Sequence, residues 1–279
     1  MNPKPGRLWV VATPIGNLDD LSPRAAEILR DASLVAAEDT RHSAPLLARV
    51  GSRARTLAVH EYNEREQADR IVDSLRNGEQ VALIADAGTP LVSDPGFRLV
   101  RAAREAGIVV SPVPGPCAAI AALSVAGLAS DRFVFEGFLP SKGAARRQQL
   151  ASLVAESRTL IFYESSHRIV EMLGDLVGVF GAARAAVVAR ELTKLFETVL
   201  GGPLGELLAN VTADPNQQRG EFVVMVAGAS GEQADATLAE GRRVYALLRD
   251  ELSPARAAKL AAAISGAPRK LLYAGDEAG

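Results

Sequence analysis

Five polar or glycine- and proline-rich stretches follow short apolar runs, and they hold the residues of this chain that are best suited to chemistry. They are EDTRHS (38–43), DAGTPLVSDPG (86–96), PGPCAA (114–119), FYESSHR (162–168) and RELTK (190–194). Carboxylates and cations can move protons and bind anions, whereas glycines let a ligand approach the backbone closely. Five such stretches are more than simple connections require, and they predict a ligand site.

Two of these stretches combine glycine with a turn or a helix start. In 86–96, Gly88 permits close approach, and the Asp86 carboxylate can accept from an ammonium or a ribose hydroxyl. In 114–119, Gly115 does the same before a helix start that carries partial positive charge. Cys117 there is either an activated thiolate or a small side chain lining a pocket, and we favour the second.

Familiar nucleotide and metal motifs are missing from the sequence. It contains no G-x-G-x-x-G, no G-x-x-x-x-G-K-[ST] and no G-x-S-x-G. His42, His60 and His167 lack the i, i+4 spacing of a helical metal site, and one cysteine cannot form a cluster, so no metal is expected. The net charge of −2 restricts any contact with nucleic acid to local basic patches, such as SKGAARRQQ (141–149) and the tail.

The stretches must be positioned by strands and helices, and their pattern predicts two α/β domains. In the first, five strands alternate with helices, which indicates a parallel sheet covered on both faces. Ser22 and Pro23 form the preferred pair at a helix start, and Gly78 and Gly107 are suited to helix ends. The predicted strands are 8–12, 33–37, 56–60, 80–85 and 108–113.

Beyond Ser130 the strands lie closer together, and neighbouring strands without an intervening helix predict antiparallel pairs in a mixed sheet. The predicted strands are 132–138, 159–163, 185–189, 197–200 and 221–227, with helices at 143–155 and 167–180. A polar linker at 230–235 then leads to a helical tail. The predicted domains are 1–127, 128–229 and 236–279.

Composition is that of a soluble globular protein, with 48% hydrophobic and 23% charged residues. The first residues show no secretory signal pattern, the longest apolar stretch (118–129) is too short for a bilayer, and a single cysteine fits a reducing compartment. We therefore expect a cytoplasmic protein with neither a membrane nor DNA as partner.

Eight blocks, in this order and spacing, resemble the tetrapyrrole methylase superfamily, and within it the enzymes that methylate the ribose 2′-oxygen of a cytidine in 16S ribosomal RNA. The blocks are TPIGNL, AEDTRH, DAGTPLVSDPG, PGPCAA, EGFLP, FYESSHR, RELTK and RGE, and the similarity runs from about Leu8 to Gly228. The resemblance implies a homodimer that acts on the small ribosomal subunit. It also implies S-adenosylmethionine in a cleft between the two α/β domains.

The resemblance further assigns twelve cofactor contacts. They are Pro14, Ile15, Asp86, Ala87, Gly88, Thr89, Val92, Gly115, Cys117, Ala118, Tyr163 and Leu192.

Methyl transfer to a hydroxyl is a displacement that alignment and a proton acceptor promote. The predicted catalytic residues are Glu38, Arg41, Glu191 and Lys194, with Asp39 and Glu164 as further acids. Arg146 and Arg147 are expected further out on a helix edge, where they would contact RNA phosphates.

Two other functions remain open. One is C-methylation of a corrinoid, another reaction of the superfamily, against which EDTRH and RELTK argue. The other is a ribosome-binding protein without catalytic activity, which need have no affinity for S-adenosylmethionine.

Overall fold

The computed structural model describes residues 6–60 and 62–272, and of 232–235 only the backbone. The last seven residues of the predicted tail domain therefore lie outside the described residues. The chain forms two compact units. The first runs to Ala121 and includes Leu192–Leu195, and the second contains Ala122–Glu191 and the chain from Phe196 onward.

The first unit is built on a five-stranded sheet whose paired strands are all parallel, in the order β3-β2-β4-β1-β5. Its strands are β1 (Arg7–Val11), β2 (Leu34–Ala37), β3 (Arg55–Ala58), β4 (Gln80–Ile84) and β5 (Val109–Val113). The helices between and after them are α1 (Pro23–Asp31), α2 (Thr40–Arg49), α3 (Glu64–Arg76), α4 (Phe97–Glu105) and α5 (Ala118–Val125). The predicted parallel sheet is confirmed.

Both faces of this sheet are covered, because successive strand residues point to opposite sides. Val81 and Leu83 of β4 face α3 and α4, and Ala82 and Ile84 face α1 and α2. Each fully buried aliphatic side chain of this kind contributes about 1.5–3 kcal/mol. The two cores leave the carboxyl ends of the strands as the edge where polar loops gather.

The second unit contains a five-stranded sheet in the order β6-β7-β10-β8-β9. Its strands are β6 (Phe133–Phe138), β7 (Thr159–Ser165), β8 (Ala185–Arg190), β9 (Thr198–Pro203) and β10 (Glu221–Val226), with helices α6 (Gly143–Ala151), α7 (Ile169–Phe180) and α8 (Leu204–Ala213). β6 and β7 are parallel and the other pairs are antiparallel, so the predicted mixed sheet is confirmed. Phe162 and Val224 of the sheet pack with Met172 and Leu207 of the helices.

The tail consists of α9 (Gly231–Arg249), α10 (Pro254–Ser265) and α11 (Arg269–Leu272), which pack around a small core of their own. α10 begins at Pro254 after Ser253, and the serine side chain makes no capping bond. The predicted linker at 230–235 is wrong, because α9 already begins at Gly231. Among the described residues, no helix is long and apolar enough to cross a membrane.

No ranges were predicted for two of the helices. EDTRHS was taken as a turn, but the Asp39 side chain accepts from the Arg41 backbone N–H and caps α2. Pro45 lies inside α2, where a proline close to the helix start loses few backbone bonds. α8 follows β9 directly and had no recognisable cap, since Pro203 precedes it without a side-chain bond.

Candidate functional site at the strand ends

The loops after β1 and β4 are joined by a pair of backbone hydrogen bonds. Thr13 and Gly88 each donate an N–H to the carbonyl of the other, at 2.9 and 3.0 Å. The Thr13 hydroxyl, which is buried, also donates to the Ala85 carbonyl at 3.3 Å. Because the two strands are neighbours in the sheet, TPIG and DAGT form one continuous backbone surface at its carboxyl edge.

The loop after β5 is attached to the same surface. The Thr89 hydroxyl donates to the Pro116 carbonyl at 2.9 Å. Gly115 lies so close to β1 that a Cβ added there would be 2.9 Å from the Ala12 Cβ. Gly88 has a φ of +81°, and a Cβ added to it would be 3.3 Å from Ile15 Cγ2. Packing within the protein therefore requires glycine at both positions, and the close approach of a ligand to them stays a prediction.

Eleven of the twelve predicted cofactor contacts lie in the first unit, and Tyr163 lies in the second. Ala87, Gly115 and Ala118 have little or no side chain and are not buried, which leaves backbone accessible along the joined loops, whereas Gly88 is buried. Such an edge suits a ligand without phosphates that is held by backbone groups and apolar contacts. The residues therefore fit S-adenosylmethionine, although their contacts with it remain a prediction.

The loop from Thr89 to Gly96 carries backbone strain. Leu91 and Ser93 have φ of +72° and +69°, and Gly96 has +125°. Among the described residues, the other non-glycine positions with positive φ are Glu191 and Thr193. Left-handed conformations of such residues cost about 1–3 kcal/mol each, and they gather at functional loops.

Glu64 holds the end of this loop. Its buried carboxylate accepts from the backbone N–H groups of Gly96 and Arg98, at 3.1 and 2.6 Å, and so caps the start of α4 from α3. Gly96 has no side chain to cap its own helix. No sequence rule pointed to Glu64, because its partners lie more than thirty residues away.

Three carboxylates meet at the ends of β2 and β4. Burial raises the pKa of Glu38, and the Asp86 charge raises it further. Burial and the charges of Glu38 and Asp86 raise the pKa of Asp94 from 3.8 to about 7. Asp86 Oδ1 accepts from the Asp39 backbone N–H at 3.0 Å, which ties the two strand ends together. Asp94 was not singled out in the sequence, since it lies eight residues beyond Asp86.

The Asp39 and Arg41 side chains are engaged with each other. Arg41 Nε and Nη2 donate to the two carboxylate oxygens of Asp39 at 3.1 and 2.7 Å. These bonds hold the pKa of Asp39 well below its usual range. Arg41 nevertheless remains exposed, with 89% of its side-chain surface in solvent.

Asp94→Asn is expected to stabilise the protein at pH 8. The folded-state pKa near 7 lies above the unfolded value, so stability from this group is complete below pH 4 and is lost as pH rises through 7. Because Asp94 is partly exposed, solvent screening limits the gain at pH 8 to about 1 kcal/mol, or a Tm increase of about 3 °C.

Thermal melts at pH 5 and pH 8 provide the measurement, with the exposed Asp69→Asn as a control for loss of one negative charge. The Asp94→Asn gain should shrink at pH 5, and an equal Tm shift at both pH values would contradict the assignment.

RELTK divides between the two units. The Glu191 carboxylate accepts from the Glu221 backbone N–H at 3.0 Å within the second unit. Residues 192–194 pack on Gly16 of the first, where an added Cβ would lie 2.4 Å from Lys194 Cγ and 3.1 Å from the Leu192 carbonyl oxygen. TPIG and the predicted residues Leu192 and Lys194 are thus brought together.

In the second unit, Tyr163 is held by two aromatic rings. Phe135 and Phe138 contact it edge-on, with ring centroids 5.0 and 5.6 Å away. Both reach it because β6 shifts its register between Phe135 and Gly137. Glu164 is buried and forms an ion pair with Arg168 at 3.1 Å, so it contributes to local structure.

The expectation for Arg146 is wrong. Its side chain is 3% exposed, and its Nε lies 2.6 Å from Asp175 Oδ2, with Glu171 at 3.3 Å. A buried, paired guanidinium cannot contact a phosphate without breaking these ion pairs. Arg147 does lie outward, with 57% of its side chain exposed, and it also pairs with Asp175.

Two family models match the chain. Residues 7–208 match the Tetrapyrrole (Corrin/Porphyrin) Methylases, and residues 235–274 match the RsmI C-terminal HTH domain. Among solved structures, diphthine synthase has a TM-score of 0.59 at 15% identity, over 83% of this chain and 93% of that one. Uroporphyrin-III C-methyl transferase from Thermus thermophilus, complexed with S-adenyl homocysteine, has a TM-score of 0.56 at 19% identity, over 79% of this chain and 97% of that one. These likenesses establish the fold.

Curated relatives are far more similar. Ribosomal RNA small subunit methyltransferase I of Xylella fastidiosa is 62% identical over 97% of this chain and 99% of that protein. The protein of the same name from Pseudomonas aeruginosa is 58% identical over 96% of this chain and 95% of that protein. The one from Escherichia coli O157:H7 is 52% identical over 96% of this chain and 93% of that protein. The chain therefore belongs to the tetrapyrrole methylase family, among the ribosomal RNA small subunit methyltransferase I proteins.

Proposed function

We propose that this protein transfers a methyl group from S-adenosylmethionine to the ribose 2′-hydroxyl of a cytidine in 16S ribosomal RNA. The observation that carries the proposal is the joined backbone surface of TPIG, DAGT and PGPC, centred on the Thr13–Gly88 pair. The names of the close relatives supply the substrate class, small-subunit ribosomal RNA. The cytidine and its 2′-oxygen come from the eight sequence blocks.

When bound, S-adenosylmethionine supplies an activated methyl group on a sulfonium. The chain's own part is to hold and align it: the exposed Gly115 lets it reach the backbone, Gly88 allows the turn that joins the loops, and Thr89 fixes the loop. Alignment of reacting groups can account for much of the rate enhancement, since it replaces a bimolecular encounter.

Glu38 is the proton acceptor that the contacts favour. Asp39 is neutralised by Arg41 and caps a helix, and the Glu191 carboxylate is bonded to the Glu221 backbone. Glu38 is partly buried, and its raised pKa increases its strength as a base. Burial, together with the charges of Glu38 and Asp86, raises the pKa of Asp94 to about 7, so this carboxyl is partly protonated near neutral pH.

Glu38→Gln is expected to lower kcat by about a hundredfold, because it removes the proton acceptor. Arg41→Ala and Lys194→Ala should also lower kcat, and in all three variants the Kd for S-adenosylmethionine should stay close to that of wild type. Glu38 would take the proton, and the two cations would bind the ribose or its flanking phosphate. Steady-state methylation of small subunits and calorimetry with the cofactor measure the two quantities. Unchanged kcat in all three variants would show that the substrate lies elsewhere.

The function itself is tested by mass mapping of 16S ribosomal RNA. A strain that lacks this protein should lose one cytidine 2′-O-methyl group, and the wild-type gene should restore it. Restoration by Gly88→Val to the same extent would contradict the assignment of the joined loops, whereas an unchanged map in the deletion strain would refute the function.

We also propose that the protein is a homodimer and that it acts in the cytoplasm on the assembled small subunit. Both rest on the resemblance and on the proposed substrate. Light scattering at micromolar concentration should give twice the 29.3 kDa chain mass, and a purely monomeric sample would count against the dimer.

A further inference from the structure

A β-bulge in the second unit brings two phenylalanines of β6 to the same face of the sheet. In a regular strand, residues three apart point to opposite faces. β6 shifts its register against β7 between Phe135 and Gly137, and Gly137 has a φ of +64°. Phe135 and Phe138 therefore both contact Tyr163, on the face opposite to Phe162 and the helices. Bulges often re-aim a side chain beside a functional site.

Phe135, Phe138 and Tyr163 are called the aromatic platform below. Phe135 and Tyr163 are half-buried, whereas 55% of Phe138 is exposed. The rings pack edge-on, with angles of 72° and 66° between the planes of the phenylalanines and that of Tyr163. Edge-on packing is a preferred arrangement of aromatic rings, so the two inner rings support the outer one. More than half of the Phe138 surface is thus open to a ligand.

The chain directly after Phe138 is held in place. Leu139 is buried in the core beneath the sheet. Arg168 Nη2 donates to the carbonyls of Leu139 and Pro140 at 2.7 and 3.3 Å, and the same group pairs with the buried Glu164. A side chain on a fixed backbone loses less conformational freedom when a ligand binds.

The aromatic platform lies at the sheet edge where four of the eight sequence blocks gather. β6, β7 and β8 run in one direction and β10 in the other. EGFLP, FYESSHR and RELTK therefore come at the ends of their strands on one edge, and RGE leads into β10 there. Phe138 is level with Ala189 across three strand spacings, about 14 Å. Glu191, a predicted catalytic residue, follows Ala189 by two residues.

We propose that the aromatic platform stacks on a nucleobase of the RNA substrate near the methylated ribose, with Phe138 in contact with the base. The proposal rests on the proposed function, which makes RNA the substrate. Every base has a π-face, and unpaired bases of RNA stack on aromatic side chains that a sheet presents. The platform supplies such a ring at the edge that also carries Glu191.

Charge favours RNA over the cofactor as the occupant. Lys142 is exposed and follows Phe138 by four residues, so an RNA strand offers a phosphate to this cation and a base to the ring. S-adenosylmethionine has no phosphate, and of its twelve predicted contacts only Tyr163 lies in the second unit. A twofold contact centred on the platform would bring the Lys142 side chains of two copies together, where like charges repel.

The decisive variant is Phe138→Ala, which removes an exposed ring and leaves the core intact. Phe138→Leu keeps an apolar side chain without a π-face, and Phe138→Trp keeps a ring. Phe133→Ala is the matched control, because it removes an exposed ring from the start of the same strand. Circular dichroism and thermal melts establish that each variant folds.

Binding is measured without cofactor on protein-free 16S RNA at several salt concentrations. Phe138→Ala and Phe138→Leu should weaken it by about tenfold or more, as loss of a stacked base does. The salt slope should not change, because no phosphate contact is lost. In methylation of small subunits kcat/KM should fall by the same factor, with an unchanged Kd for S-adenosylmethionine. Phe138→Trp and Phe133→Ala should match wild type.

Tryptophan fluorescence gives a direct signal. Trp9 is the one tryptophan of the chain, so Phe138→Trp in a Trp9→Phe background reports from the platform alone. Added RNA should quench this fluorescence by stacking. Phe133→Trp in the same background should keep its fluorescence.

Wild-type RNA binding by Phe138→Ala or by Phe138→Leu would overturn the proposal. So would a parallel loss of affinity for S-adenosylmethionine, since the ring would then belong to the cofactor site. A change of Phe138→Ala to a monomer in light scattering would assign the ring to a contact between copies instead. If the wild type binds RNA through Phe138 but methylates none, the proposed function fails and the platform assignment stands.

Discussion

Gly88→Val is expected to abolish measurable binding of S-adenosylmethionine, because the loop assigned to the cofactor can no longer keep its conformation. Gly88 has a φ of +81°, which a β-branched residue adopts only under strain. Its Cβ would also meet Ile15 Cγ2 at 3.3 Å. The loop must therefore move, and with it the Thr13–Gly88 pair that joins the β1 and β4 loops.

Gly107→Val is the control that separates backbone strain at a positive φ from displacement of the Gly88 loop. Gly107 has a similar φ of +73°, but no atom lies within 4 Å of an added Cβ. Both variants should lose comparable stability in thermal melts, whereas calorimetry should show lost cofactor binding in Gly88→Val alone. Equal affinity in the two folded variants would contradict the assignment of this loop to the cofactor.

Gly16→Ala is expected to reduce kcat/KM for small subunits by about a hundredfold, again because a segment of the site is displaced. An added Cβ would lie 2.4 Å from Lys194 Cγ and 2.9 Å from Thr193 Oγ1. Residues 192–194 cannot stay where they are, so Leu192 and Lys194 leave their positions together. The effect should exceed that of Lys194→Ala, which removes one side chain and leaves the backbone in place.

Gly174→Ala is the matched control, because an added Cβ in α7 meets no atom within 4 Å. It should be as active as wild type and slightly more stable, since alanine favours a helix. Normal turnover in a folded Gly16→Ala protein would show that residues 192–194 do not belong to the site.

Local signals were sufficient for most of the fold. The Ser22–Pro23 pair starts α1, with the serine side chain accepting from the Ala25 N–H. Gly78 and Gly107 follow α3 and α4 with positive φ, as helix-ending glycines do. The ten strands of the described residues were all predicted to within a few residues, because runs of β-branched and apolar residues bounded by turns are local patterns.

Predictions from local sequence patterns were incomplete or wrong where the structure depends on distant residues. No range was predicted for α2, which begins after its Asp39 cap and contains Pro45. Arg146 was expected in solvent because it belongs to a basic run, and only the packing of α6 against α7 buries it beside Asp175. A charged residue is usually exposed unless it is paired, and the sequence does not specify the pair.

The sequence by itself determined the two sheet types, the loops that follow their strands, and the family. These follow from hydrophobic periodicity, from turn residues and from blocks in a fixed order. Only the tertiary structure decided which loops meet. β4 lies between β2 and β1, so Glu38 lies near Asp86 and Asp94. Residues 192–194 pack on Gly16, which is far away in the sequence. The physical reason is that pairing between distant segments depends on the packing of the whole chain, which local patterns do not encode.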